Sequence, residues 1–342
     1  YNKALGTSPF VDDLRFDGMI HGALKFSDHP RANILKIDTA AAAALDGVIR
    51  ILTANDIPGE RISGVIIKDW PVMVAEGETT RYIGDVLVGV VAETEDIARK
   101  AVSLIDIQYE ILEPLTDMTL AEHSPIKVHE SGNLLETCVV KRGENIDKIL
   151  ADSAFVTTGQ YETQKIEHAY LETEAAVALP WNDGGVEVFT QSQGIYEDQK
   201  QLAAILDLPL EKIQVNLVPN GGAFGGKEDM SVQAHAALMA ILTNRPVKMK
   251  LNREESLAMH PKRHPIILDY AVGCDENGSL TGVKARIMGD TGAYASVGTK
   301  VLERAAGHAT SGYHVSHVDL EAKTLYTNNI PSGAMRGFGA NQ

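Results

Sequence analysis

Two cysteines in 342 residues, Cys138 and Cys274, are too few and too far apart for an iron–sulfur cluster or a structural zinc site. They read as free thiols in a reducing compartment, which points to the cytoplasm. The eleven histidines include no H-E-x-x-H pair. His260 and His264 lie four apart, but Pro261 and Pro265 break any helix there, so the segment reads as a loop with a basic edge. No window approaches 18 uninterrupted apolar residues, so no membrane-spanning helix is expected. Positive charge is also scarce. The 31 Lys and Arg against 46 Asp and Glu leave a net charge of −15, which argues against a nucleic-acid partner. An initiator Met and a signal peptide are both missing, and the chain runs from Tyr1-Asn-Lys-Ala to Gln342 without a tail. It is therefore read as a trimmed piece or subunit of something larger.

With 44% hydrophobic and 23% charged residues, the composition is that of a globular protein long enough for two domains. Strand-like and helical stretches alternate through the first 115 residues. Residues 34–38 read as a strand, 39–45 as a short alanine-rich helix started by Asp38 or Thr39, and 47–53 as a second strand. Residues 85–92 are apolar enough for a central buried strand, 94–105 carry a capping signature ahead of an amphipathic helix, and 106–112 alternate as a strand. Proline and glycine punctuation at Pro114, Pro125, Gly132 and Gly143 makes 116–153 read as a connector. From about residue 154 a second domain runs to the end. It holds a strand at 185–190, a helix at 196–206, a strand at 247–251 and a hairpin on Asn277-Gly278. The fold class is mixed α/β (α+β).

Residues 220–229, Asn-Gly-Gly-Ala-Phe-Gly-Gly-Lys-Glu-Asp, carry the most chemistry. They lie between a strand-like stretch at 213–218 and a helical one at 231–243. Four glycines allow positive φ and close backbone approach to a ligand, and a strand, loop and helix start together present unpaired N–H groups. Gly221 to Lys227 matches G-x-x-x-x-G-K, but Glu228 stands where a nucleotide-binding loop needs Ser or Thr for Mg²⁺. A carboxylate there would repel a triphosphate, and Phe224 would crowd the cradle. The G-x-G-x-x-G pattern does not fit either.

The loop has company. Residues 187–193, ending in Gln193, the segment His168-Ala-Tyr-Leu-Glu172, the loop itself and Pro331-Ser-Gly-Ala-Met-Arg-Gly-Phe-Gly-Ala-Asn-Gln342 form an ordered set. With 4–13 and 27–32 added, the chain resembles the molybdenum hydroxylases, the xanthine dehydrogenase and aldehyde oxidase family, over nearly its whole length. The bacterial purine-oxidising branch matches best. The resemblance implies an α/β hammerhead domain at 1–115, the connector at 116–153, and the first, incomplete part of a molybdopterin-binding domain at 154–342.

Roles follow only where residues match. Gln193 takes the place of the family's glutamine that hydrogen-bonds an oxo ligand of the metal, a task suited to a neutral amide donor. Phe224 matches the loop phenylalanine whose backbone N–H faces the molybdenum. Gly221, Gly222, Gly225 and Gly226 would let the loop pass close beneath the pterin. Glu228 and Arg336 match the glutamate and arginine that contact a purine, one exchanging a hydrogen bond with ring nitrogen, the other steadying charge on a ring oxygen. The family's catalytic glutamate lies beyond residue 342, so no catalytic residue is expected in this chain.

The implied cofactor is molybdenum–molybdopterin, in its simple or cytosine dinucleotide form. Iron–sulfur clusters and FAD are expected in partner domains or subunits, together with the remainder of the molybdopterin subunit, and an apolar surface is expected where that remainder packs. The reaction implied is hydroxylation of an N-heteroaromatic ring carbon with water-derived oxygen, with a purine as substrate. A nicotinate or other N-heterocycle or aldehyde dehydrogenase of the same family is the alternative. A nucleotide-binding protein and a non-catalytic assembly subunit are the readings from other classes.

Overall fold

The computed structural model describes residues 5–342, so the opening Tyr1-Asn-Lys-Ala, including the first residue of the 4–13 phrase, lies outside it. The described residues form two compact units, each built from two separated stretches: 5–113 with 168–261, and 114–167 with 262–342.

The first unit is organised by a seven-stranded sheet. Edge to edge its strands are Ile213–Leu217, Val186–Thr190, Ala175–Pro180, Val247–Lys250, Ile20–Phe26, Val86–Ala92 and Val48–Leu52. The expected buried strand is there: all seven residues of Val86–Ala92 are inaccessible, as a β-branched run covered on both faces should be. Its neighbour Ile20–Phe26 was not anticipated, because His21, Gly22 and Lys25 interrupt the apolar pattern. That strand pairs antiparallel with Val86–Ala92 and parallel with Val247–Lys250. Residues 5–113 therefore contribute three strands to a sheet shared with residues from the second half. A smaller sheet places Ala32–Asp38 between Thr79–Thr80 and Asp106–Ile111.

Helix ends follow local chemistry. Thr94 caps Glu95–Ser103 by accepting from the Ile97 N–H at 3.3 Å. The short helix Ala40–Ala43 takes its first acceptor from Asp38, whose Oδ1 lies 3.1 Å from the Ala40 nitrogen. Ile195–Leu206 and Gln233–Thr243 are stopped by Asp207 and Asn244 in the left-handed conformation, with φ of 52° and 51°. The eight residues from Gln233 to Ala240 are all buried, so this helix runs through the core and does not lie on it.

The second unit carries a five-stranded sheet in the order Phe155–Thr163, Ile266–Cys274, Leu280–Gly292, His317–Tyr326, Leu134–Arg142. The hairpin at Asn277-Gly278 forms as expected, with Gly278 at φ +82° and its N–H on the Asp275 carbonyl. Helix Gly298–His308 connects the parallel pair Leu280–Gly292 and His317–Tyr326. The stretch 116–153 is more than a connector, since it supplies the edge strand Leu134–Arg142 and two short helices, Met118–Ala121 and Ile146–Ala151. Its glycines are real turns, with Gly132 at φ +103° and Gly143 at +81°, but they bracket a strand whose half-exposed pattern hid it. Large apolar side chains stand exposed in both units, Leu171 at 91% and Phe155 at 64% among them. Among the described residues, no helix is long and apolar enough to cross a membrane.

Leu202 packs, fully buried, from helix Ile195–Leu206 into the core beneath the strands that lead to Gln193. Leu202→Ala is expected to cost about 2–5 kcal/mol through lost transfer energy and a cavity. Urea unfolding followed by circular dichroism would measure it, and a change under about 1 kcal/mol would show that the helix is not anchored there.

Candidate functional site

The glycine loop leaves the edge strand Ile213–Leu217 and enters the buried helix Gln233–Thr243, two residues later than the sequence suggested. It is held at both ends. Asn220 donates its side-chain N–H to the Gln191 carbonyl at 2.7 Å, and the Gln193 N–H donates to the Lys227 carbonyl at 2.9 Å. Within the loop, Gly226 N–H bonds to Ala223 O and Glu228 N–H to Gly225 O, at 2.8 and 3.2 Å. Gly222, Phe224 and Gly225 all have positive φ, at 105°, 54° and 103°. Phe224 pays for a conformation that glycine adopts freely, which marks a loop shaped by its surroundings.

Those surroundings explain the glycines. A Cβ on Gly226 would come within 2.9 Å of His168 and Tyr170, one on Gly222 within 2.9 Å of Tyr170, and one on Gly221 within 2.5 Å of Glu172. Three of the four glycines are thus required by protein packed beneath the loop. Phe224 is turned outward, 44% exposed.

Gln193 stands on the outer side as well. Its Oε1 accepts from the Gly225 and Lys227 N–H groups at 3.0 and 3.2 Å, which fixes the amide so that Nε2 is left without a partner among the described residues. The Gly222 and Ala223 N–H groups are likewise without one. Three neutral donors are therefore gathered at one loop, a set that suits an oxygen- or sulfur-rich anionic group and adds no counter-charge. Glu228 follows, half-buried, its carboxylate without a hydrogen bond or ion pair among the described residues, and burial raises its pKa.

Arg336 belongs to the second unit. It sits exposed in a turn-rich segment where Gly337, Phe338 and Gly339 have φ of 103°, 47° and 92°. The Phe338 ring packs under the Arg304 guanidinium at 5.2 Å, and the Asn341 side chain donates to the Arg336 carbonyl at 3.3 Å.

Several groups escaped the sequence reading. His260 and His264 do not form a basic edge: both are buried, His260 with Nδ1 3.1 Å from the Glu174 carboxylate, and His264 driven to a pKa of about 3 by burial and by Lys165. The prolines end the helix Arg253–Met259, but the chain then passes inward. Tyr170 O–H donates to the same Glu174. Lys227 lies beneath the loop with a pKa lowered to about 8 by burial. Asp198, in the first turn of helix Ile195–Leu206, is raised to about 6 by burial, against hydrogen bonds from Ser192 and Gln233. No motif announces these groups. Lys227 and Tyr170 stand inside the quoted segments 220–229 and 168–172, but nothing in those segments marks them as buried.

Comparison with known proteins agrees with this geometry. The family model of the molybdopterin cofactor-binding domain matches residues 128–342, and that of the aldehyde oxidase and xanthine dehydrogenase a/b hammerhead domain matches 5–113. The chain is 38% identical to a probable xanthine dehydrogenase subunit of Bacillus subtilis (strain 168), over 99% of this chain and 45% of that one. It is also 38% identical to the nicotinate dehydrogenase large molybdopterin subunit of Eubacterium barkeri, over 99% of this chain and 80% of that one. Among solved structures, the aldehyde oxidoreductase of Desulfovibrio gigas superposes with a TM-score of 0.94 at 25% identity, over 99% of this chain and 39% of that one. Quinoline 2-oxidoreductase of Pseudomonas putida 86 gives 0.88 at 28%, over 99% and 44%. A mixed α/β fold with a donor-lined glycine loop thus defines a cofactor-binding protein. The chain belongs to the xanthine dehydrogenase and aldehyde oxidase family of molybdenum hydroxylases, as a hammerhead domain joined to a molybdopterin-binding domain. It spans less than half the length of the Bacillus subtilis relative.

Asp198 makes the site's stability pH-dependent. The folded state holds this proton more tightly than the unfolded chain, so its contribution falls as pH rises from about 4 to about 6 and then levels. Asp198→Asn is expected to match the parent in thermal melts near pH 4 and to exceed it by a few degrees near pH 7. Equal offsets at both pH values would show that the carboxyl is not titrating in the folded state.

Proposed function

We propose that this chain supplies one part of the active site of a molybdenum-dependent hydroxylase acting on an N-heteroaromatic ring carbon, with a purine such as xanthine as substrate. The observation that carries the reading is the conjunction at the glycine loop of three unpartnered neutral donors with a half-buried, unpartnered carboxylate. The donors fit the cofactor, and the carboxylate fits a ring bearing N–H groups.

Gln193 Nε2 and the N–H groups of Gly222 and Ala223 would hold molybdopterin with its metal, and Phe224 would lie beside it. When bound, the cofactor supplies the oxidation itself, inserting water-derived oxygen at carbon and taking up two electrons. The chain's own residues position and polarise. Gln193 can donate to an oxygen of the group while its own Oε1 stays locked by two backbone N–H groups. Glu228, its pKa raised by burial, is suited to share a proton with a ring nitrogen. Arg336 would balance negative charge developing on a ring oxygen. The catalytic base, the remainder of the molybdopterin subunit, and the iron–sulfur and FAD subunits or domains lie with partners in this reading. The cytoplasm is its compartment, and two free thiols are compatible with that.

Nicotinate is the second substrate reading. The Eubacterium barkeri relative supports it, equal in identity to the xanthine-named one and covered over 80% of its length. The test is metal analysis and turnover of the assembly purified from its native host, with xanthine and nicotinate offered separately. Molybdenum near one per complex and xanthine turnover falling about 10²-fold in Arg336→Met are expected. Turnover of nicotinate alone would transfer the assignment to the second substrate, and an intact assembly without molybdenum would overturn both.

A further inference from the structure

The geometry points to Glu172 and Lys227 as a clasp that sets the shape of the glycine loop from beneath, making both positioning residues for whatever the loop binds. It rests on the reading above only for the identity of that ligand.

Glu172 is tied to the loop through side chain and backbone together. Its Oε2 accepts from the Gly221 N–H at 2.6 Å, and its own N–H donates to the Gly221 carbonyl at 3.2 Å. Lys227 closes the other end. Its ammonium donates to the Glu172 carbonyl at 2.7 Å and to Asn220 Oδ1 at 3.4 Å, and lies 4.5 Å from the centre of the Tyr170 ring. One residue on the strand side is thus bonded to both Gly221 and Lys227, which bracket the loop. The Lys227 N–H, in turn, is one of the two groups that hold Gln193 Oε1. Moving Lys227 would release Gln193 and the loop together.

The energetics favour a purpose over accident. Lys227 is only 4% exposed, and buried ammonium groups are costly unless fully paired. Leaving a lysine and a glutamate under a loop is tolerated when their hydrogen bonds hold a backbone that cannot hold itself. This loop, with three positive-φ residues in four and two unpaired N–H groups, is such a backbone. A charged acceptor on Gly221 is also among the stronger hydrogen bonds available.

The test separates the clasp from the ligand. Amide exchange over peptides spanning 220–229 would be followed in the full chain for the parent, Glu172→Ala, Glu172→Gln and Lys227→Met. Molybdenum content would be measured for the same variants in the native assembly. Glu172→Ala and Lys227→Met are expected to speed loop exchange about tenfold or more while helix Gln233–Thr243 keeps its protection. Glu172→Gln, which keeps an acceptor for the Gly221 N–H, should stay within about threefold of the parent. Molybdenum content should fall in the first two and recover in the third. Unchanged loop exchange in Glu172→Ala and Lys227→Met would overturn the clasp, whatever the metal does. Equal loss of protection in the core helix would overturn it too, by showing general unfolding. A loosened loop with full molybdenum would keep the clasp and defeat the cofactor reading instead.

Discussion

Backbone pairing between Ile20–Phe26 and Val247–Lys250 joins the two stretches of the first unit, and the position of the glycine loop depends on it. The contact is short, three register pairs from Ile20↔Val247 to Gly22↔Met249. Gly22 suits the joint, since a Cβ there would come within 2.6 Å of the Met239 side chain and 2.7 Å of the Met249 side chain, which would have to shift. Lys248 and Lys250 reinforce the joint by donating to the carbonyl and carboxylate of Asp12 at 2.7 and 2.6 Å. From Val247–Lys250 the sheet continues through Ala175–Pro180 and Val186–Thr190 to Ile213–Leu217. Glu172 to Glu174 lead into the first of these strands, Gln191 to Gln193 leave the second, and the loop leaves the third. One sheet therefore aims every residue of the candidate site in this unit.

Beneath the loop the unit departs from an apolar core. Lys227, Glu172, Glu174, Asp198, His168 and His260 are all buried or half-buried within the same unit, where charge is costly. The structure offsets that cost with hydrogen bonds: Glu174 with Tyr170 and His260, the Lys227 ammonium with the Glu172 backbone carbonyl and Asn220 Oδ1, Asp198 with Gln233. Sheets built for packing alone place alanine and valine at such positions, as Ala175–Pro180 does immediately beyond Glu174. A concentration of buried polar groups beneath one loop is the mark of a place where stability gives way to function.

The sequence was most legible where local chemistry decides the outcome. Val86–Ala92, the Thr94 cap, the helix Ile195–Leu206 and the Asn277-Gly278 hairpin all depend on period or turn residues within a few positions. It was least legible where partners come from far along the chain. Ile20–Phe26 reads as mixed polar until Val86–Ala92 and Val247–Lys250 flank it, and Leu134–Arg142 looks like a connector until His317–Tyr326 pairs with it. The site divided along the same line. Gln193, Phe224 and Glu228 stood in motifs, whereas the burial of Lys227, Asp198 and His264 depends on three-dimensional neighbours that no spacing reveals.

The glycines teach the sharper lesson. Read in sequence, a run of four suggests a backbone stripped bare so that a ligand can approach. In the structure, Gly221, Gly222 and Gly226 turn the face where a Cβ would be toward Glu172, Tyr170 and His168, so the approach they permit is that of the protein to itself. The consequence for the outer face is indirect but firm. With the loop pressed flat on its support, Gly222 and Ala223 N–H groups have no partner among the described residues, Phe224 is forced outward at φ +54°, and Gln193 is locked by Gly225 and Lys227. The donors are left open because the glycines meet the core. An alanine in the run would therefore act on binding by lifting the loop off its support, before it ever touched what the loop holds.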